Sequence, residues 1–187
     1  MDYSSIIDKI VSKAFPLLEK LPDTQVSLKP SPNTWSKKEI LGHLLDSANV
    51  NHQRIIRAEK QGHLEFLGYD PCHWVSKNNY QHMDWGQLVV QWKKTQQYLG
   101  DLIKNVDERS LRKTFVKHNL HQVCMNPFPA RVPGSLSYLV WDYLQHLEHH
   151  LAELLPTYEK VDTAHDPPIP SSKKQNPPAK ISWLAFR

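Results

Sequence analysis

The sequence predicts an all-α protein: a four-helix bundle with long connections between the helices and an extended C-terminal tail. Apolar residues recur at three- and four-residue steps in four separate segments, which is the spacing of an amphipathic helix. Serine or aspartate stands before three of these segments, where a side-chain oxygen can accept a free backbone N–H. Most of the prolines fall between or after the segments, which indicates irregular connections.

The first two helices are predicted from their apolar faces and from one capping motif. Residues 2–20 carry a continuous apolar face. The second helix begins after Ser36, because Ser36 and Glu39 have the spacing of a capping box, and its apolar positions continue to about Lys60. Residues 21–34, between the two helices, carry three prolines and are predicted to form a loop.

The third helix is predicted to begin after a long irregular connection. Residues 61–83 contain two glycines, a proline and several aromatic residues but no helical period. Asp84 then has the character of an N-cap, and apolar positions recur to about Val106. A connection of this length between helices is either functional or carries packing of its own.

The fourth helix is predicted to begin after Ser135 and to stop at Pro156. Residues 107–134, which precede it, are the least regular part of the chain. Within them, residues 114–116 are predicted to form a short extended segment. The third and fourth helices are therefore also joined by a long connection.

A change in composition divides the chain into two predicted parts. Residues 1–160 form the helical bundle, and residues 161–187 form a Pro-rich tail with a semi-extended backbone. The end of the tail, residues 181–186, is apolar again. We expect that end to dock on the bundle or on a partner.

Composition and charge exclude several functional classes. The formal net charge is only +4, and no basic stripe is interleaved with aromatic residues, so nucleic-acid binding is not expected. No apolar run approaches the roughly 20 residues that cross a bilayer, and the N-terminus has no signal-peptide pattern. The two cysteines, Cys72 and Cys124, cannot form a disulfide framework. A reduced, cytoplasmic location is therefore predicted.

Three histidines are the candidate metal ligands. His146 and His150 are four residues apart in the fourth helix, so their imidazoles leave the same helical face. They border the apolar stripe, so each is either a buried polar group that needs a partner or a ligand. His43, in the second helix, completes a set of three imidazoles from two facing helices. Such a set would leave a divalent ion with open positions for water or substrate, as in catalytic sites.

Each candidate ligand has a carboxylate three or four residues away on its own helix: Asp46, Asp142 and Glu153. A carboxylate on the second ring nitrogen fixes the tautomer of a ligating histidine. Asp46 and Asp142 are therefore the candidates for catalytic support of His43 and His146, although Asp142 would serve equally as a surface pairing group. His149 is rotated away from the two ligands and is interpreted as a supporting or surface residue, with direct ligation as the alternative.

Two segments resemble signatures of the DinB/YfiT-like superfamily. Residues 35–47, WSKKEILGHLLDS, followed by Asn51 and Arg54, resemble the first signature, and residues 142–151, DYLQHLEHHL, resemble the second. The resemblance covers residues 1–158. It implies a four-helix bundle of up-down-down-up topology that is often a homodimer. It also implies a divalent metal, nickel or zinc in various relatives, held here by His43, His146 and His150.

The resemblance also narrows the expected activity. Better-understood relatives are metal-dependent transferases and isomerases that use low-molecular-weight thiols, and others are described as metal-dependent hydrolases. The sequence therefore predicts a divalent-metal-dependent enzyme that activates a thiol or water for attack on a small electrophilic substrate. The alternative is a non-catalytic, dimeric bundle that binds a metal or another ligand.

Overall fold

The computed structural model of the chain describes residues 2–163. Four long helices build the bundle: α1 (Tyr3–Leu18), α3 (Lys37–Lys60), α5 (Trp85–Asn105) and α8 (Leu136–Leu154). The connections carry short elements: α2 (Asp23–Val26), α4 (Pro71–Asn78), a 3-10 turn at Tyr80–His82, α6 (Glu108–Arg112), β1 (Thr114–Phe115), α7 (Leu120–Val123) and β2 (Gly134–Ser135). The predicted all-α bundle is confirmed. None of the helices in residues 2–163 combines the length and the apolar composition that a membrane span needs.

The core lies where the apolar faces of the four long helices meet. Ile7 on α1, Leu44 on α3, Trp92 on α5 and Leu147 on α8 are all fully buried. Removing a side chain of this kind from water stabilises the fold by roughly 1.5–3 kcal/mol. The periodic apolar positions that predict the helices are therefore also the positions that hold the helices together.

Hydrogen bonds between helix ends give the directions of α1, α5 and α8. The Tyr3 hydroxyl, at the start of α1, donates to the Ser137 carbonyl at the start of α8, so these two helices are parallel. The Trp85 indole N–H, at the start of α5, donates to the Leu18 carbonyl at the end of α1. α5 is therefore antiparallel to α1.

Helix α3 completes the topology. Lys37, at the start of α3, donates to the carbonyl of Leu154 at the end of α8, so α3 and α8 are antiparallel. α3 then runs parallel to its other neighbour, α5, and the order is up-down-down-up, as the resemblance implies. Two parallel helices that follow each other in the chain need a crossover connection, and this accounts for the length of residues 61–84.

The beginning of α3 is determined by the predicted capping box. The Ser36 hydroxyl accepts the Glu39 backbone N–H at 3.3 Å, and the Glu39 carboxylate accepts the Ser36 backbone N–H at 2.8 Å. Both groups would otherwise be unsatisfied at the helix end. This motif sets the helical register of His43, which lies seven positions after Ser36.

The predicted irregularity of residues 61–83 is partly wrong, because α4 and the 3-10 turn lie within this connection. The Asp70 side chain accepts the His73 N–H, and Pro71 occupies the first turn of α4, where its missing donor costs nothing. α4 ends at Asn78 and is followed by its C-cap Asn79, whose φ of 55° lies in the left-handed region. The cap and the proline are short-range signals of a helix, whereas a helix of eight residues shows little apolar periodicity.

The other connections also contain more structure than predicted. Residues 21–34 include the single turn α2, and residues 107–134 include α6 and α7. The predicted extended segment at residues 114–116 corresponds to β1, which pairs antiparallel with β2. β2 lies immediately before α8, and its last residue, Ser135, caps that helix by accepting the Tyr138 backbone N–H.

The first residues of the predicted tail lie against α8. The Glu148 carboxylate accepts the Tyr158 hydroxyl at 2.9 Å and the Val161 backbone N–H at 3.3 Å. Gln145 donates to the Thr163 hydroxyl at 2.6 Å. Packing therefore continues past the predicted boundary at residue 160. The rest of the tail, including the apolar residues 181–186, lies outside the described residues.

We expect Tyr158→Phe to destabilise the protein by about 1–2 kcal/mol, because the buried Glu148 carboxylate loses its strongest donor. The midpoint of urea unfolding measures this loss. Tyr98→Phe is the matched control, since the Tyr98 ring is 64% exposed and stacks on His52. Equal midpoints for the two variants would contradict a stabilising contact between Tyr158 and α8.

Candidate metal centre

Three histidines from two antiparallel helices meet at one point. His43 of α3 and His146 and His150 of α8 each place one ring nitrogen within 4.8 Å of the other two. The Nε2 atoms of His43 and His146 are 3.0 Å apart. The three ring centroids are separated by 5.0, 5.0 and 4.6 Å. The three histidines predicted as metal ligands are therefore neighbours in the fold.

The geometry of this trio fits a divalent ion. With metal–nitrogen bonds of about 2.0–2.1 Å, two imidazoles on the same ion have nitrogens about 3.0–3.4 Å apart. The separation of 3.0 Å between the Nε2 atoms of His43 and His146 lies at the short end of that range. A hydrogen bond between two neutral imidazoles has a similar length, so this distance is common to a metal site and to a hydrogen-bonded pair. The third histidine and the hydrogen bonds behind the rings are the features that favour a metal site.

Burial keeps the two innermost histidines neutral. His43 is 4% exposed, and burial, together with the nearby His150, lowers the pKa of its imidazole to about 3. Burial, together with the surrounding histidines, also lowers the pKa of His146 well below its ordinary value. Only the neutral ring has a lone pair for a metal. Both side chains are therefore in the ligand form at neutral pH.

Hydrogen bonds behind two of the rings direct Nε2 towards the centre. Nδ1 of His150 lies 3.2 Å from a Glu153 carboxylate oxygen, as the sequence spacing predicts. Nδ1 of His146 lies 3.4 Å from the Ser47 hydroxyl. Such contacts fix the tautomer and the orientation of a ligating imidazole.

Glu153→Gln is expected to weaken metal binding about 10-fold, because a neutral amide supports the His150 imidazole less well than a carboxylate does. Competition with a chromogenic chelator measures the dissociation constant. Glu159→Gln serves as the control, since the Glu159 side chain is 88% exposed and pairs with Lys13. An affinity change of the same size in both variants would argue against a specific role for Glu153.

The structure corrects the role predicted for Asp142. Its carboxylate accepts the backbone N–H groups of Met125 at 2.8 Å and Asn126 at 2.7 Å, and the Asn126 side-chain amide at 3.0 Å. Burial raises the pKa of the Asp142 carboxyl to about 6, against the effect of these donors. Asp142 thus anchors the segment before β2 to α8 instead of orienting His146.

Asp46 also has partners outside the histidine trio. Its Oδ1 accepts the Tyr80 hydroxyl at 2.7 Å and the Asn78 side-chain amide at 2.9 Å. Both donors come from the connection between α3 and α5. The predicted direct contact between Asp46 and His43 is absent from the hydrogen bonds of residues 2–163, and Nδ1 of His43 is buried there without a partner.

Sequence reasoning did not identify three residues that surround the trio. The Trp35 ring packs on His43 with a centroid distance of 5.1 Å. The Tyr69 ring lies 6.4 Å from the His43 ring, and the two ring planes form an angle of 23°. Ser47 contacts His146. Ser47 follows His43 by one helical turn, so helical spacing alone would have placed it on the same face of α3 as His43. Tyr69 lies in the crossover connection, where no pattern in the sequence points to the site.

A cavity of about 420 Å³ is lined in part by Trp35. Lys29, Glu39 and Cys72 are among the residues that line it. Its size falls within the roughly 300–1,000 Å³ that is usual for small-molecule sites. The Trp35 ring therefore contacts both this cavity and the His43 imidazole.

His149 lies at the outer edge of the centre. Its side chain is exposed, and its ring centroid is 5.1 Å from that of His150. A second group of possible ligands overlaps the trio: it is formed by His149, His150 and Glu153, whose ligand atoms lie within 4.8 Å of one another. His149 is outside the group formed by His43, His146 and His150, which agrees with its interpretation as a supporting or surface residue.

Comparisons with known proteins agree with this architecture. A model of the DinB superfamily matches residues 8–154. Among solved structures, the chain is similar to YfiT from Bacillus subtilis, described as a probable metal-dependent hydrolase with an unusual four-helix bundle topology. The two share 14% sequence identity over 81% of each chain, with a TM-score of 0.65. At that identity the likeness shows the fold. None of the curated proteins matches this chain.

Proposed function

We propose that this chain, which belongs to the DinB superfamily, is a metal-dependent enzyme. Its divalent ion would be held by His43, His146 and His150. The convergence of their ring nitrogens within 4.8 Å is the observation that carries the proposal. An ion at this point supplies Lewis-acid chemistry that lowers the pKa of a bound water or thiol.

The residues around the trio have separate tasks in this proposal. Glu153 and Ser47 hold the imidazoles of His150 and His146 in the ligating orientation. Trp35 and Tyr69 pack around His43 and keep bulk water from its side of the centre. Electrostatic interactions are stronger in such a water-poor site.

The reaction class follows from the expected nucleophile. With water as the nucleophile the protein is a hydrolase, and with a low-molecular-weight thiol it is an S-transferase. In both cases the substrate is a small electrophile. The cavity of about 420 Å³ beside Trp35 has room for a molecule of that size. The homodimer and the choice between nickel and zinc remain predictions from the family resemblance.

A non-catalytic metal-binding bundle is the second candidate, and the placement of the carboxylates favours it. Asp46 and Asp142 are hydrogen-bonded to the connections, and no carboxylate of residues 2–163 belongs to the group formed by the three histidines. An enzyme needs a proton acceptor close to its nucleophile. In the proposed enzyme the thiol or water would therefore lose its proton to solvent, to a group on the substrate, or to Glu153, the carboxylate that contacts His150.

Elemental analysis of untagged protein, followed by activity screens, tests both candidates. We expect one divalent ion per chain, and chelator-sensitive turnover of either activated esters or thiol-acceptor electrophiles. Metal binding without turnover in either screen would favour the non-catalytic bundle. If the unmodified protein and a His43→Ala variant contained the same amount of metal, both candidates would be rejected.

A further inference from the structure

The Asp46 carboxylate has one satisfied and one unsatisfied oxygen. Oδ1 accepts from Tyr80 and Asn78, whereas Oδ2 is buried and accepts no hydrogen bond in the described chain. Leaving a buried polar atom unpaired costs about 1–3 kcal/mol, and more for a charged group. Such an atom in a folded protein calls for an explanation, which is commonly an ion, a water or a functional role.

The complementary atom lies one helical turn earlier. Nδ1 of His43 is also buried without a partner. His43 precedes Asp46 by three residues in α3, and side chains at this spacing are neighbours on a helix surface. A neutral imidazole that offers the Nε2 lone pair carries its proton on Nδ1, which is then a donor. A donor and an acceptor are thus both left over on the same part of α3.

Metal binding dictates which tautomer His43 must adopt. Two neutral imidazoles with Nε2 atoms 3.0 Å apart share one N–H, but two ligands of one ion both present Nε2 lone pairs. Their protons must then lie on Nδ1. The Nδ1 proton of His146 can be donated to Ser47. The Nδ1 proton of His43 needs a new acceptor.

We infer that Asp46 is this acceptor: its Oδ2 takes the Nδ1 proton of His43 in a hydrogen bond, directly or through one ordered water, when an ion occupies Nε2. The inference rests on the proposed metal site. It makes Asp46 a positioning residue and gives the crossover connection a task, since Tyr80 and Asn78 hold the carboxylate in place through Oδ1.

Two substitutions test the inference. In Asp46→Asn, one oxygen can still accept from Tyr80, while the amide NH2 cannot accept the His43 proton. In Asp46→Leu no acceptor remains in either orientation of the side chain. Glu148→Gln is the matched control, because Glu148 is a buried carboxylate on α8 with one oxygen bonded by a tyrosine hydroxyl and the other unpaired, and it lies outside the histidine group.

The readouts are the Zn²⁺ dissociation constant of the full chain, its melting temperature without metal, and the ¹⁵N resonances of His43. We expect both Asp46 variants to bind Zn²⁺ about 10–100-fold more weakly, as is typical when a partner behind a ligating histidine is removed. The melting temperature of metal-free Asp46→Asn should stay close to that of the unmodified chain. Glu148→Gln should bind Zn²⁺ normally, and Zn²⁺ should protect the Nδ1 proton of His43 only when Asp46 is present.

Two outcomes separate the possible failures. Normal Zn²⁺ affinity in both Asp46 variants, with loss of binding in His43→Ala, would overturn the role of Asp46 and leave the metal site intact. Normal Zn²⁺ affinity in His43→Ala as well would remove the metal site itself. An equal loss of Zn²⁺ affinity in the Asp46 variants and in Glu148→Gln would also contradict the role of Asp46, because the effect would not be specific to that residue.

Discussion

Replacing His146 by alanine is expected to abolish tight metal binding. The His146 Nε2 atom lies 3.0 Å from that of His43, at the centre of the proposed site. Loss of a ligand should exceed the 10–100-fold effect of removing a partner behind a ligand, so we expect affinity to fall by more than about 100-fold. Elemental analysis and chelator competition on the full chain measure this change. The increase in melting temperature that metal gives should disappear with it.

The neighbouring histidine supplies the control. His149→Ala removes an exposed imidazole from the same helix and should retain the ion. His150→Ala should behave like His146→Ala, and since the His150 side chain lies partly in solvent, this variant carries less risk of misfolding. Equal metal content in all three variants would contradict the ligand assignment.

Gly42→Ala is expected to destabilise the protein by about 2–3 kcal/mol, although alanine in a helix normally gains up to about 1 kcal/mol over glycine. The reason is the ring of Tyr80, which packs directly on the α3 backbone. A Cβ atom added to Gly42 would lie 2.1 Å from two of the ring atoms. The ring must therefore move, and its hydroxyl would leave Asp46.

Gly100→Ala is the matched control, because Gly100 is also inside a long helix. A Cβ there would meet its nearest neighbour, a methyl carbon of Ile7, at an ordinary 3.5 Å. We expect this variant to be as stable as the unmodified chain or slightly more stable. Urea unfolding of both variants gives the comparison. A Gly42→Ala protein as stable as Gly100→Ala would show that the close approach of Tyr80 contributes nothing to stability.

The parts of the fold that the sequence predicted depend on short-range signals. The capping box at Ser36 and Glu39 predicted the start of α3, and the i, i+4 spacing predicted that His146 and His150 share a face. Periodic apolar residues marked all four long helices because a helix must bury one face. These signals remain readable without knowledge of which helices are neighbours.

The parts that were missed depend on contacts between distant segments. Asp142 lies four residues from His146, but the backbone donors of Met125 and Asn126 determine where its carboxylate points. Asp46 is likewise fixed by Tyr80, which follows it by 34 residues. Helical spacing predicts which side chains can meet within one helix, whereas a competing donor from a loop has no signature in that spacing.

The separation of the histidines along the chain has a consequence for synthesis. His43 and His146 are 103 residues apart, and α8 is the last of the four long helices. During translation at roughly 5–20 residues per second, α3 leaves the ribosome several seconds before its partner. A nascent chain that still lacks α8 offers His43 without the two imidazoles of α8, so the proposed ion could be chelated only after α8 has been synthesised.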